Sequence, residues 1–206
     1  MGIQVWVQRA RGSLSPCEDE WERLTQEVAE CTACSLHKTR TRPVFGVGNR
    51  RAAWMLIGEA PGEQEDLKGE PFVGPAGHLL NEMLRALRLR REEVYITNIL
   101  KSRPPGNRDP RPEEVAACEP FLRRQIALVQ PQIILAIGRI AAQSLLKTDA
   151  PLSRLRGKVH RYEVIPLVVT YHPAYLLRNL AAKRQAWEDL KLAWRLYCEC
   201  RQNTYG

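Results

Sequence analysis

Four short apolar runs, each closed by a glycine or a polar turn, constrain this chain most. They are Ala53 to Ile57, Val94 to Thr97, Gln132 to Ile137 and Val164 to Thr170. Each is too short for a stable helix and largely apolar, as a strand buried on both faces must be. The segments between them carry the other period. In residues 76–89 the apolar positions Leu79, Leu80, Met83, Leu84 and Leu87 recur at helical spacing. Glu113 to Val129 and the stretch from Gly138 through Leu146 also read as helices, and a last helix is predicted over residues 183–200. An early helix is predicted over residues 18–30, with its acids in the first turn, where the helix dipole favours them. Strands alternating with helices specify an α/β domain with a parallel sheet.

The 206 residues are read as a single domain over 1–206, with residues 1–17 as a loose N-terminal arm. No apolar run approaches the ~20 residues of a membrane helix. The first eleven residues hold two Arg and no apolar stretch, so no signal peptide is expected. The expectations are a cytoplasmic monomer with no membrane partner. In an open parallel sheet, ligands gather at the carboxyl ends of the strands. That rule singles out Gly58 to Asp66, Asn98 to Arg108, the Gly138 turn and Tyr171 to Arg178.

Charge narrows the partner. Lys and Arg number 31 against 23 Asp and Glu, for a net charge of +8, and 24 of the 31 are Arg. Such a surplus favours a polyanion, nucleic acid first, although an Arg-rich codon usage is the plainer explanation. The six Cys (Cys17, Cys31, Cys34, Cys118, Cys198 and Cys200) lack a secretory context, so metal or redox use is a better default than disulfides. Cys31-x-x-Cys34 with Cys118 far downstream can be half of a zinc site or half of an iron–sulfur site.

Taken one at a time, the strand-end motifs are ambiguous. Gly58-Glu-Ala-Pro-Gly-Glu-Gln-Glu-Asp66 can turn backbone N–H groups toward a ligand, yet its four carboxylates also suit an acidic surface turn. Phe72, between Gly69 and Gly74, can stack on a base or simply anchor the loop. Asn98 can read a base edge, or it can cap a helix. In Tyr171-His-Pro-Ala-Tyr-Leu-Leu-Arg178, His172 can donate into a cleft. Leu176 and Leu177 can wedge into a base stack, or they can lie in the core.

Together and in order, the motifs are specific. GEAPGEQED, PFVGPAG, VYITNILKSRPPGNR, the CxxC and HPAYLLR closely resemble the family 4 uracil-DNA glycosylases, the iron–sulfur type. The resemblance runs from about Cys31 to Arg178. It implies a three-layer α/β/α sandwich with a central four-stranded parallel sheet. It also implies hydrolysis of the N-glycosidic bond of deoxyuridine in single- and double-stranded DNA, the base being flipped into a pocket.

Residue by residue, the resemblance implies the following roles. Phe72 stacks on uracil and Asn98 bonds its polar edge, while the backbone from Gly58 through Glu59 to Ala60 holds the pyrimidine. Glu65 crowds out the thymine methyl. His172 bonds to O2, where negative charge develops as the base departs. Ala60 stands where the best-known glycosylases have a water-orienting Asp, which leaves Glu59 or Glu65 for that task. Lys101, Arg103, Arg108, Arg156 and Lys158 are expected at phosphates, with Tyr175, Leu176, Leu177 and Arg178 at the space the flipped base leaves. The competing reading is an iron–sulfur DNA-binding accessory module without chemistry, against which the intact Phe72, Asn98 and His172 argue.

The resemblance further implies a 4Fe-4S cluster on four cysteines. Three are present as Cys31, Cys34 and Cys118, but the remaining position is Ser102. A serine oxygen is a harder and more basic ligand than a thiolate. Ligation by Ser102 as an alkoxide, three Cys with another group, a three-iron form and a deliberate Cys→Ser substitution all stay open at this point.

Overall fold

A computed structural model describes residues 16–203. The arm expected over 1–17 therefore lies outside the described residues, except that its last two residues open the first helix. The strands are β1 (Val47–Gly48), β2 (Trp54–Gly58), β3 (Tyr95–Asn98), β4 (Ile133–Ile137), β5 (Val159–Tyr162) and β6 (Ile165–Thr170). The helices are α1 (Pro16–Glu30), α2 (Glu63–Lys68), α3 (Pro75–Ala86), α4 (Pro112–Val129), α5 (Arg139–Leu146), α6 (Leu152–Leu155), α7 (Pro173–Arg178) and α8 (Lys183–Asn203).

The strands form one sheet in the order β1-β3-β2-β4-β6-β5. Its centre, β3-β2-β4-β6, is parallel throughout, as expected. Two antiparallel edge strands, β1 and β5, add to it. At two residues, β1 is too short to leave a sequence signal. In β5, exposed and half-buried positions alternate, and its Arg161 and the preceding Lys158 put charge on an open edge.

The period-two geometry of the strands sorts the core into two layers. Met55, Ile57, Tyr95, Ile134, Ala136, Leu167 and Val169 face α1, α4 and α5, whose Trp21, Leu122, Ile126 and Ala142 cover them. Trp54, Leu56, Ile96, Ile133, Leu135 and Val168 face the other way, onto Leu80 and Leu84 of α3, Leu176 of α7 and Leu190 of α8. The result is a three-layer α/β/α sandwich. In-register pairing brings Gly58 and Asn98 side by side where β2 and β3 end. That alignment starts the site.

Candidate active site

The site is a cleft of about 410 Å³ at the carboxyl ends of β2, β3 and β6, lined by Glu59, Phe72, Asn98, Asp109 and His172 among others. Close packing at its floor explains Gly58. A Cβ there would lie 2.4 Å from Asn98 Oδ1 and 2.6 Å from the Phe72 ring, so any side chain would displace both. Asn98 is buried, and its Oδ1 has no hydrogen-bond partner among the described residues. A buried acceptor left open is costly unless a ligand fills it.

Phe72 sits in left-handed backbone, φ 53°, which is strained for an aromatic residue. Three features hold it there. Glu65 accepts from the N–H groups of Val73 and Gly74, both at 2.9 Å, and with its other oxygen from Gly62 at 3.1 Å. Arg91, a residue without a sequence signal, donates to the Pro71 carbonyl. Gly77 lets α3 approach, since a Cβ there would fall 1.8 Å from the Phe72 carbonyl oxygen. The Phe72 ring stacks beside His172 with centroids 5.6 Å apart.

His172 is the N-cap of α7. Its Nδ1 accepts from the Ala174 N–H at 3.2 Å, so the ring hydrogen sits on Nε2. Burial pushes the imidazole down to about 4, opposed by Glu65 and assisted by Arg178. The ring is therefore neutral at physiological pH and offers Nε2–H as a donor. Gly138, at φ +93°, makes room for it, because a Cβ there would lie 3.1 Å from His172 Cβ.

Glu59 follows Gly58 into the cleft. Burial raises its carboxyl to about 7, Asp109 adds to the shift and Arg139 opposes it. Asp109 escaped the sequence reading, which took its loop only for phosphate contacts. Its carboxylate binds Arg139 at 2.6 Å.

Several expected DNA contacts are instead structural. Lys101 is buried, its Nζ donating to Thr97 Oγ1, the Asn98 carbonyl and Gln125 Oε1. Leu176 packs in the core between α3 and α8. Arg156 pairs with the buried Asp189 at 2.7 Å and stacks on Tyr171 at 4.1 Å. Arg108 grips Glu114, at the start of α4, with two hydrogen bonds of 2.6 and 2.9 Å, and still lines the cleft. Glu65, with both oxygens on backbone N–H groups, shapes the pocket and is not free as a base. Tyr175, Leu177 and the unforeseen Leu180 are exposed, Arg178 lines the cleft, Lys158 is open to solvent and Arg103 binds Asn107.

Away from the cleft, the end of α1 meets α4. The buried Cys118 thiol is raised by burial and by the nearby Cys34 and Cys31, while the Lys101 N–H opposes the shift. Among the described residues, no three His, Cys, Asp or Glu side chains are grouped so as to hold a metal ion. Ser102 is buried, and its Oγ accepts from Arg40 at 3.1 Å; the same guanidinium binds the Ala29 carbonyl. Cys31, Cys34 and Cys118 are soft donors by type, but the three are not gathered into a metal-binding group. At Ser102 the side chain is an alcohol already bonded to a cation, a harder donor than the thiols.

The sheet order, with a cleft at the strand ends lined by an open amide oxygen and a neutral imidazole, defines a uracil-DNA glycosylase-like domain. The model of the uracil DNA glycosylase superfamily matches residues 45–191. A type-4 uracil-DNA glycosylase of Archaeoglobus fulgidus is 46% identical over 189 residues, covering 88% of this chain and 94% of the relative. One from Thermotoga maritima is 45% identical over 187 residues, covering 85% and 94%. A type-5 enzyme of Pyrobaculum aerophilum is 31% identical over 157 residues, covering 67% and 68%. The chain belongs to the type-4 family of the uracil-DNA glycosylase superfamily.

Proposed function

We propose that this chain hydrolyses the N-glycosidic bond of deoxyuridine in single- and double-stranded DNA, releasing uracil and leaving an abasic site for repair. One observation carries the reading: a half-buried, neutral His172, its tautomer fixed by the Ala174 N–H, shares the cleft with the unpartnered Asn98 Oδ1. Uracil in its lactam form supplies what this pair lacks. Its N3–H donates to Asn98 Oδ1, and its O2 accepts from His172 Nε2–H.

The base is flipped out of the stack to enter the cleft, with Phe72 against its face. As the glycosidic bond stretches, electrons pass to the base and negative charge grows on O2. A neutral donor aimed at O2 strengthens its hydrogen bond as that charge appears, and it needs no proton transfer. The sugar becomes cationic, as in glycoside hydrolysis. Ionised Glu59 stabilises that cation and takes a proton from the water that adds to C1′. Glu65 holds the loop whose Phe72 closes the pocket against a larger base. Tyr175, Leu177 and Arg178 border the space the flipped nucleotide vacates, with Leu180 nearby in sequence, and Arg103 and Lys158 meet phosphates.

Cys31, Cys34 and Cys118 are the residues that would hold an iron–sulfur cluster, and Ser102 would stand at its fourth position. When bound, the cluster pins the end of α1 to α4 and to the loop after β3, and no step of the reaction passes through it.

The test is release of free uracil from a single-stranded oligonucleotide carrying one deoxyuridine, with a thymine control. Rapid uracil release without thymine release is expected. No release from folded, iron-replete protein would favour a binding module without chemistry.

A further inference from the structure

Lys101 is one of the largest fully buried side chains of the domain, and the groups that bond its Nζ are all neutral, with the Cys118 thiol nearby. Its Nζ meets Thr97 Oγ1 at 2.6 Å, the Asn98 carbonyl at 2.7 Å and Gln125 Oε1 at 2.6 Å. Gln125 in turn donates to the Phe45 carbonyl and the Tyr95 hydroxyl, and Thr97 also donates to Phe45. A buried lysine is costly even when hydrogen-bonded, and an apolar residue of the same volume often serves stability as well or better. Stability alone is therefore a poor reason for a lysine at this position.

What Lys101 touches suggests the reason. The peptide that follows Asn98 is gripped at both polar atoms. Its carbonyl takes Lys101 Nζ, and its N–H, belonging to Ile99, donates to the Gly58 carbonyl at 2.9 Å. That peptide plane sets the backbone torsion from which the Asn98 side chain projects. The side chain has no hydrogen bond to its Oδ1 that would aim it. Its direction therefore depends on the backbone and on contact with Gly58 and Phe72.

We propose that Lys101 is a positioning residue for base recognition: by fixing the peptide after Asn98 from within the core, it aims the Asn98 amide at the pyrimidine edge. The inference rests on the reading of Asn98 as the residue that bonds uracil. It replaces the phosphate contact expected from the sequence with a role one layer below the base.

A double-mutant cycle in the full chain tests it, using Lys101→Met, Asn98→Ala and the double variant. The readouts are single-turnover uracil excision, inhibition by free uracil and affinity for undamaged single-stranded DNA. Lys101→Met is expected to slow excision and weaken inhibition by free uracil by about 10- to 100-fold each, the range for a lost hydrogen bond to a charged group. DNA affinity should hold. In the Asn98→Ala background the lysine change should cost less than about twofold, because its route of action is gone. Independent, multiplying losses would overturn the proposal, as would normal inhibition by free uracil in Lys101→Met. Normal excision by Asn98→Ala would overturn the reading of Asn98 and this proposal with it. If Lys101→Met does not fold, Thr97→Val removes one acceptor of the same ammonium. Its loss, about threefold for a weakened contact, should likewise vanish in the Asn98→Ala background, and a persistent loss would refute the role.

Discussion

The base cleft and the thiol corner lie at opposite ends of one short segment, Asn98 to Ser102, and they treat polar groups in opposite ways. In the cleft, Asn98 Oδ1 is buried without a partner and His172 keeps Nε2–H free. Between the two, Lys101 makes three hydrogen bonds that run back toward Asn98, and at the corner the Ser102 hydroxyl is bonded by Arg40. An unsatisfied buried group weakens the fold and awaits a ligand, whereas a satisfied one holds the fold together. Catalysis and stability are therefore expected to separate along this segment. Substitutions in the cleft should change the rate and spare the melting temperature, and those at the corner should do the reverse.

The sharpest division is expected from His172→Ala. Losing the donor to O2 should lower single-turnover excision by about 10²- to 10³-fold while DNA affinity and melting temperature stay near normal. A variant that excises normally would remove His172 from the mechanism.

Glu59→Gln comes next, with a loss of about 10²-fold at pH 8. Its pH dependence has a definite sign. The Glu59 carboxyl lies at about 7 and must be ionised to act, so excision rises through that pH and falls tenfold per unit below it. His172, near 4, stays neutral across the range and adds no limb. The glutamine variant should give a flat profile from pH 5 to 8. A surviving limb would assign the base to another group.

At the corner, Ser102→Cys completes a set of four thiols. Iron content and visible absorbance should rise, and the melting temperature should climb by several degrees, about 2–4 °C for each kcal/mol gained in a domain of this size. Uracil excision should barely change. A large gain in excision would break the separation.

The smallest effect is expected from Arg40→Met. It removes the hydrogen bonds to Ser102 and to the Ala29 carbonyl, worth about 1 kcal/mol together at a half-buried site. Thermal unfolding should shift down by about 2–4 °C with normal excision. No shift would mean that iron, rather than this hydrogen bond, secures the corner.

Much of this arrangement was legible beforehand. Apolar runs ended by turns located the four parallel strands to within a residue or so, because a strand buried on both faces has few alternatives. The strand-end rule then picked out the segments that hold Glu59, Asn98 and His172, whereas Phe72, in the loop from Gly69 to Gly74, lay outside them. The errors have a common physical form. Lys101 and Arg156 read as free charges, but a sequence gives a charge without its direction. Lys101 points inward because Gln125, on α4, supplies an acceptor there, and Arg156 is held by Asp189, far along the chain on α8. Leu176 and Leu177 are neighbours of one kind. Only the set of α7 against α3 and α8 turns the first into the core and leaves the second exposed.

The sequence by itself determined the layers, the strand ends and the chemical types gathered there, since these follow from local period and turn chemistry. Tertiary structure decided the states of those groups. Burial lowered His172 and raised Glu59, the Ala174 N–H chose the imidazole tautomer, and the packing around Gly58 left Asn98 Oδ1 open. Protonation and hydrogen bonding depend on which groups lie within a few ångströms and how much water reaches them, and only the folded chain sets both.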